Sequence, residues 1–303
     1  MVGQIFNSAA GRRTTQKVII LSTPGTSTWT VPTDWNNSNN KIHCIGAGQA
    51  GGESNASGRS YGGAGGDYAR VENLTLTPGA SENYNVATSS TYTGGNQTAD
   101  AADDTWFGGT GVGDADVVAA GGGSSNSSSG DIVYYGGASG PPRAYGSGGG
   151  GGSAGNNGGG GNGGAGRSNS SQRAGGGGGG ANGGSNGEQD VPNSPLDGDG
   201  GNNRLGVGGG VNVQGTFTQP FDGGGGAGGS TRDGRQRNGQ NGSSELVWTS
   251  TVDGEVARLG GGGGGSAGTS DSAGNGGLYG GGGGGDKGVG AQGVIVIIYE
   301  GTA

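Results

Sequence analysis

A single cysteine, Cys44, among 303 residues excludes an internal disulfide framework. A single histidine, His43, leaves no Cys/His spacing that would hold zinc. No stretch is apolar and long enough to cross a membrane as a helix, and no helix-period segment with caps is visible. Basic residues number 15 against 23 acidic ones, for a formal charge of −8, and they form no block. A field of that sign does not steer in nucleic acid. Proline is scarce, at 8 residues, and the Gly-X-Y period is missing, so this is not collagen. Residues 1–16 include a small-residue Ala9–Ala10–Gly11 site but lack the about 7–15-residue apolar region of a signal peptide, so Sec export is not expected.

What is abundant is glycine, 87 residues of it, gathered in Gly146–Gly152, Gly158–Gly166, Gly175–Gly184, Gly223–Gly229, Gly260–Gly268 and Gly280–Gly285. Ordering a glycine costs about 1–2 kcal/mol of backbone freedom with no side-chain burial in return. Such runs are either disordered or packed backbone to backbone. The packed form is a polyproline-II-like helix with three residues per turn and a rise of about 3.1 Å, whose N–H and C=O groups all point outward to neighbours. The runs have similar lengths, alternate with non-glycine inserts and are flanked by strand patterns, which favours an ordered polyglycine-II bundle over a flexible chain.

Strand-like segments come first: Lys17–Ser22, Ser27–Val31, Lys41–Ile45, Tyr68–Leu76 and Glu82–Thr88, separated by turns such as Thr77–Pro78–Gly79. Asp104–Phe107 and Asp116–Ala120 add short ones. The last, Val294–Tyr299 (VIVIIY), is a continuous apolar run of the kind buried on both faces. Pairing it with the opening strands gives the expected architecture, a mainly β fold essentially without α-helix. Residues 17–120 plus 290–303 form a small β-sandwich closed by the N- and C-terminal strands. Residues 121–289 form the glycine-rich bundle with variable loops, and 1–16 an arm that docks onto another protein.

The order of Thr28–Trp29–Thr30–Val31–Pro32, Gly46–Gly52, Gly62–Gly66 with Asp67–Tyr68–Ala69–Arg70, Leu76–Thr77–Pro78–Gly79 and Gly293–Tyr299 resembles the glycine-rich domain of phage and prophage tail proteins. The glycine runs also resemble those of T-even-type tail-fibre tip adhesins, whose polyglycine-II sandwich displays receptor-binding loops. The resemblance implies a non-enzymatic virion protein without a cofactor, present in several copies. Its partners would be a host outer-surface protein or glycan and, through the arm, another tail protein.

Other signals are weaker. Gly46–Gly51 satisfies G-x-G-x-x-G, with Asp67 near the acidic position, but GESNASGRSYGGAGG cannot open the helix a dinucleotide site needs. Asp197–Asn202 imitates the start of a calcium loop without its glutamate, and Gly280–Asp286 a single calcium β-roll repeat. His43 and Cys44 are adjacent on a strand and so face opposite ways, which suits packing rather than a dyad. Recognition chemistry concentrates in the inserts: Tyr134, Tyr135, Arg143 and Tyr145 around Pro141–Pro142, Phe217 and Phe221, and Arg235 with Trp248. Rigid aromatics and arginine amid small polar residues are the composition of binding loops. Trp248, in the alternating segment SELVWTSTV, equally fits a packed strand. A virion connector or decoration protein, and more distantly an ice-binding protein, are the competing expectations.

Overall fold

The computed structural model describes residues 14–53, 60–94, 101–143, 146–166, 178–189, 198–211, 217–226, 238–250, 256–265 and 272–302. Among them there is no helix. The strands are β1 Thr14–Leu21, β2 Gly25–Thr30, β3 Asn40–Ile45, β4 Tyr68–Glu72, β5 Ser81–Val86, β6 Thr105–Phe107, β7 Val117–Ala119, β8 Ile132–Tyr134, β9 Gly210–Val211, β10 Phe217–Thr218, β11 Ser244–Thr249, β12 Val256–Gly260 and β13 Val294–Thr302. All are paired antiparallel, in a five-stranded sheet β1-β13-β3-β4-β8, a four-stranded sheet β2-β5-β6-β7 and the pairs β9-β10 and β11-β12.

β13 lies between β1 and β3, with Ile20 opposite Val296 and Cys44 opposite Ile295. Its Ile295, Ile297 and Tyr299 enter one buried cluster and its Val294 and Val296 another, so the strand has no polar face to present and its apolar run is unbroken. Three expectations change. Thr14, Thr15 and Gln16 belong to β1 rather than to an arm, because their backbones register against Thr302, Gly301 and Glu300; residues 1–13 of that arm lie outside the described residues. β4 stops at Glu72 because Asn73 takes a left-handed φ of 56°. β8 lies beyond residue 120, yet it extends the sheet through Tyr68↔Tyr134 and Arg70↔Ile132.

The first cluster is shared by the two large sheets: Trp29, Tyr84, Val86, Phe107 and Val117 from the four-stranded one meet Ile42, Cys44, Ile295 and Ile297 from the five-stranded one. Trp29 packs edge-on against Trp35 and Phe107 at centroid distances of 5.6 and 5.8 Å. Each fully buried large side chain here contributes about 1.5–3 kcal/mol. The second cluster lies on the opposite face of the five-stranded sheet, where Ile20, Ile45, Tyr68, Val294 and Val296 meet Ala154, Ala181, Ala257, Leu259 and Trp248. That face is what joins the glycine-rich layers to the sheet.

Within those layers, backbone hydrogen bonds change partner with every residue and return to the same partner every third residue. Gly149 and Gly152 donate to Gly164 and Gly161, Gly150 and Ser153 to Gly263 and Gly260, and Gly148, Gly151 and Ala154 to Ser60, Gly63 and Gly66, at 2.7–3.0 Å. A Cβ on Gly151 would fall well inside 3.0 Å of the Gly137 carbonyl oxygen, and one on Gly262 equally close to that of Gly150. Residues 46–52, 60–66 and 290–293, outside the expected bundle boundaries, join the same network: Gly62 donates to Gly140, Gly63 to Gly283 and Ala291 to Gly281. Where a layer ends, asparagine replaces the missing neighbour. Asn162 Oδ1 accepts from Ala138 N–H and Asn186 Oδ1 from Asn162 N–H, both at 2.8 Å. Another edge repeats this, Asn241 Oδ1 accepting from Asn275 N–H and Asn275 Oδ1 from Val289 N–H at 2.8 and 2.9 Å.

Candidate functional site

Segments 46–52 and 135–141 leave the five-stranded sheet and segments 60–66 and 288–293 return to it, which defines a near end beside the sheets and a far end away from them. Near-end crossings are tight. Asn156–Asn157 turns between bridged Gly155 and Gly158, Asn203 N–H donates to Gly206 at 3.1 Å, and Gly224 N–H donates to Phe221 at 3.0 Å. The far end gathers the flanks of the long connections: Gly52 and Ser60, Arg143 and Gly146, Gly166 and Gly178, Gln189 and Gly198, Val211 and Phe217, Gly226 and Asn238, Gly265 and Ser272. The flanks are tied to one another, with Gly148 donating to Ser60, Gly166 to Pro141, Glu188 to Asp199 and Gly239 to Ser272 at 2.8–3.0 Å. A hydroxyl pair, Ser60 Oγ and Ser147 Oγ at 3.0 Å, is buried among them.

The expected site residues divide between these ends. Arg143 is exposed at the far end, where its Nη2 reaches Gln189 Oε1 at 3.4 Å. Tyr145 and Arg235 lie outside the described residues. Phe217 begins β10, also toward the far end. Tyr134, Tyr135 and Phe221 stand at the near end: Tyr134 stacks on Tyr68 at 6.0 Å, and Tyr135 is 69% exposed. Trp248 is not a displayed ring. It is 8% exposed, its strand pairs with β12, and its indole packs 5.2 Å from the His43 ring in the second cluster, because the register shift between Leu246 and Trp248 breaks the alternation of β11 and re-aims the ring inward.

A groove of about 380 Å³ runs beside Tyr135, lined by Asp67, Ser124, Asn126, Ser128 and Asn162 among others. Asp67 braces it rather than binding a ribose. Its carboxylate accepts from Gly136 N–H at 2.9 Å and Ser128 Oγ–H at 2.7 Å, and burial pushes its pKa up. Among the described residues no helix opens after Gly51, whose N–H donates to Gly288. Farther along the near end, Glu245 is buried with its Oε2 accepting from Asn182 and Asn203 side chains at 3.1 and 3.0 Å, Arg204 lying 3.8 Å from Oε1. Burial raises its pKa also. These carboxylates are structural ties between segments.

Among the described residues, no three His, Cys, Asp or Glu side chains gather to hold a metal ion. Asp286 and Lys287, both at positive φ, close a tight far-end turn over the Gly52 carbonyl. His43 and Cys44 do face opposite ways, Cys44 into the first cluster and His43 toward Tyr68 and Trp248; burial pushes the Cys44 thiol up, which leaves it inert. The cluster of His43, Tyr68 and Arg70 has no sequence signal, because it depends on the β3–β4 register. Compared with protein-family models and with curated proteins, the chain finds no match in either.

Proposed function

We propose that this chain is a non-enzymatic adhesin of a phage tail fibre or tail tip, carried on the virion and binding a host outer-surface protein or glycan. In this reading a small β-sandwich, closed by β1 against β13, carries a polyglycine-II bundle. The three-residue return of the backbone bonding supports that helix type, whose turn is three residues. The observation that carries the function is the gathering of the flanks of seven connections at one end of a hydrogen-bonded block, opposite the sheets, whereas the flanks of the β11–β12 connection, Thr249 and Val256, lie on the sheet side. Loops rooted in a rigid block lose little entropy on binding and vary without disturbing the scaffold. Arg143, Tyr145 and Arg235 then belong to the receptor face, whereas Tyr134, Tyr135 and Phe221 do not.

A virion connector is the second reading, favoured by the exposed near-end residues Leu205, Val207 and Phe221, of which Phe221 N–H donates to the Val207 carbonyl. The arm of residues 1–13 docks onto another tail protein in either case, and several copies per virion raise weak contacts to useful avidity. The test compares adsorption of purified protein to a panel of bacterial strains. One variant has residues 227–237 replaced by a Gly/Ser linker and Arg143→Ala; another has Tyr134→Ala with Tyr135→Ala. Adsorption lost only in the first, with both folded by circular dichroism, is the expected result. Adsorption lost only in the second, or absent in the unaltered protein on every strain, moves the assignment to the connector.

A further inference from the structure

The groove beside Tyr135 is bordered by residues of three segments, 64–67, 120–128 and 135–138, together with Asn162. Its volume of about 380 Å³ lies within the range of about 300–1,000 Å³ typical of small-molecule sites. Asp67 is the one charged side chain among the residues that line it, and no lysine or arginine is there.

Hydrogen bonds within the fold decide which polar atoms remain to face a ligand. Each Asp67 oxygen already accepts one bond, from Gly136 N–H or from Ser128 Oγ–H, and Ser128 Oγ accepts in turn from Ala120 N–H at 2.9 Å. Asn126 gives one Nδ2 hydrogen to the Asp104 carboxylate, whose other oxygen accepts from Gly121 N–H at 2.8 Å. A carboxylate only accepts, so that bond orients the Asn126 amide and leaves its Oδ1 and its second Nδ2 hydrogen for a ligand. Asn162 is held the other way round. Its Oδ1 accepts from Ala138 N–H, which only donates, and both Nδ2 hydrogens are left over. The Ser127 hydroxyl and the Tyr135 phenol have no partner among the described residues. Asn126, Ser127, Tyr135 and Asn162 are all exposed.

We propose that this groove binds a neutral hexopyranose, its hydroxyls bonded to the Asn126 and Asn162 amides and one face of its ring laid on Tyr135. A sugar hydroxyl both gives and accepts, so one can meet Asn126 Oδ1 and another the Asn162 donors. The C–H face of the ring covers the aromatic surface while the hydroxyls at its rim reach the amides. Charge sets the class of sugar. With Asp67 in the lining, Asp104 bonded to Asn126 and no cation in the lining, an anionic sugar meets repulsion and no partner. The groove is at the near end, and the inference does not rest on the adhesin reading. One ring held by a few hydrogen bonds dissociates on the order of 1–10 mM, too weak to keep purified protein on washed cells. Sugar binding and adsorption can therefore each fail without the other.

The test titrates the full chain with methyl β-D-glucopyranoside and, separately, methyl β-D-galactopyranoside, following the ¹⁵N signals of the Asn126 and Asn162 side-chain amides by NMR. Methyl β-D-glucuronide is the anionic control and acetyl-triglycine amide the peptide control. Saturable shifts at both amides with at least one neutral sugar are expected, and the glucuronide should bind about fivefold more weakly or worse. Tyr135→Ala should weaken binding about fivefold or more, while Tyr135→Phe, which keeps the ring, stays within about threefold. Asn162→Asp keeps the oxygen that Ala138 N–H needs but removes the donors and adds a charge, so it should weaken binding about fivefold or more. Should a variant fail to fold, the wild-type shift map and the comparison of neutral sugar with glucuronide decide. No saturable shift at either amide up to about 50 mM of both neutral sugars overturns the proposal. So does unchanged binding in folded Tyr135→Ala and Asn162→Asp proteins, or a glucuronide or peptide that binds as tightly as the neutral sugar.

Discussion

Replacing Gly151 by alanine tests the backbone-to-backbone packing directly. Gly151 N–H donates to Gly63 at 2.9 Å, its carbonyl accepts from Gly282 at 2.9 Å, and its Cα faces the Gly137 carbonyl, so three segments converge on one residue. A methyl group there meets backbone on a neighbouring segment, which cannot swing aside as a side chain would. Overpacking costs about 1–3 kcal/mol even where side chains yield. Separating the segments also weakens one or two hydrogen bonds worth about 0.5–1.5 kcal/mol each. The expected destabilisation is thus about 1.5–6 kcal/mol. Gly113 is the control, since nothing lies within 4 Å of the position its Cβ would take and its φ is not positive. Gly113→Ala should be neutral or stabilise by about 0.4–1 kcal/mol through the unfolded state. Urea midpoints at unchanged slope measure both. A Gly151→Ala protein within roughly 0.5 kcal/mol of the wild type would refute the packing argument.

Acid should erode stability through His43. The folded ring titrates near 3 and the unfolded one near 6.5, so only the unfolded chain takes up a proton between those values. Stability is therefore complete above pH 6.5 and falls as the pH drops toward 3, by on the order of 5 kcal/mol from this group. His43→Gln should flatten that slope in urea midpoints taken at pH 7, 5 and 4. At the layer edge, Asn162→Ala removes the acceptor for the Ala138 N–H and should cost about 0.5–1.5 kcal/mol. Amide exchange at Ala138 should quicken in that variant and recover in Asn162→Asp, which keeps the accepting oxygen.

Much of the sheet framework was legible because its signals are local. Alternation and turn chemistry placed β2, β3, β5 and β13 to within a residue or a few, and the unbroken VIVIIY run announced a strand covered on both faces. β8 escaped because three residues carry no period, and its place in the sheet is settled by pairing with Tyr68–Arg70. The asparagines at the layer edges looked like ordinary turn residues, since their role as stand-ins for a missing backbone neighbour exists only once the segments are stacked. The recognition residues were the least legible. Composition picked out aromatics and arginines as candidate recognition chemistry, but it could not separate Arg143, at the far end, from Trp248, in the core.

By itself, then, the sequence excluded an internal disulfide framework and a collagen repeat, and determined the mainly β character and the need for glycine to be packed or disordered. Those follow from residue inventory and from periods of two, which are properties of short stretches. Tertiary structure alone decided which glycine segment lies against which, which end collects most of the long connections, and that Asn126 and Asn162 border one groove. Those depend on register and layer order, set by hydrogen bonds between residues far apart in the chain, such as Gln292 Nε2 to the Ser22 carbonyl across 270 positions. A composition so uniform in glycine holds almost no side-chain code for choosing those partners, so the choice falls to the sheets and inserts that anchor each segment's ends.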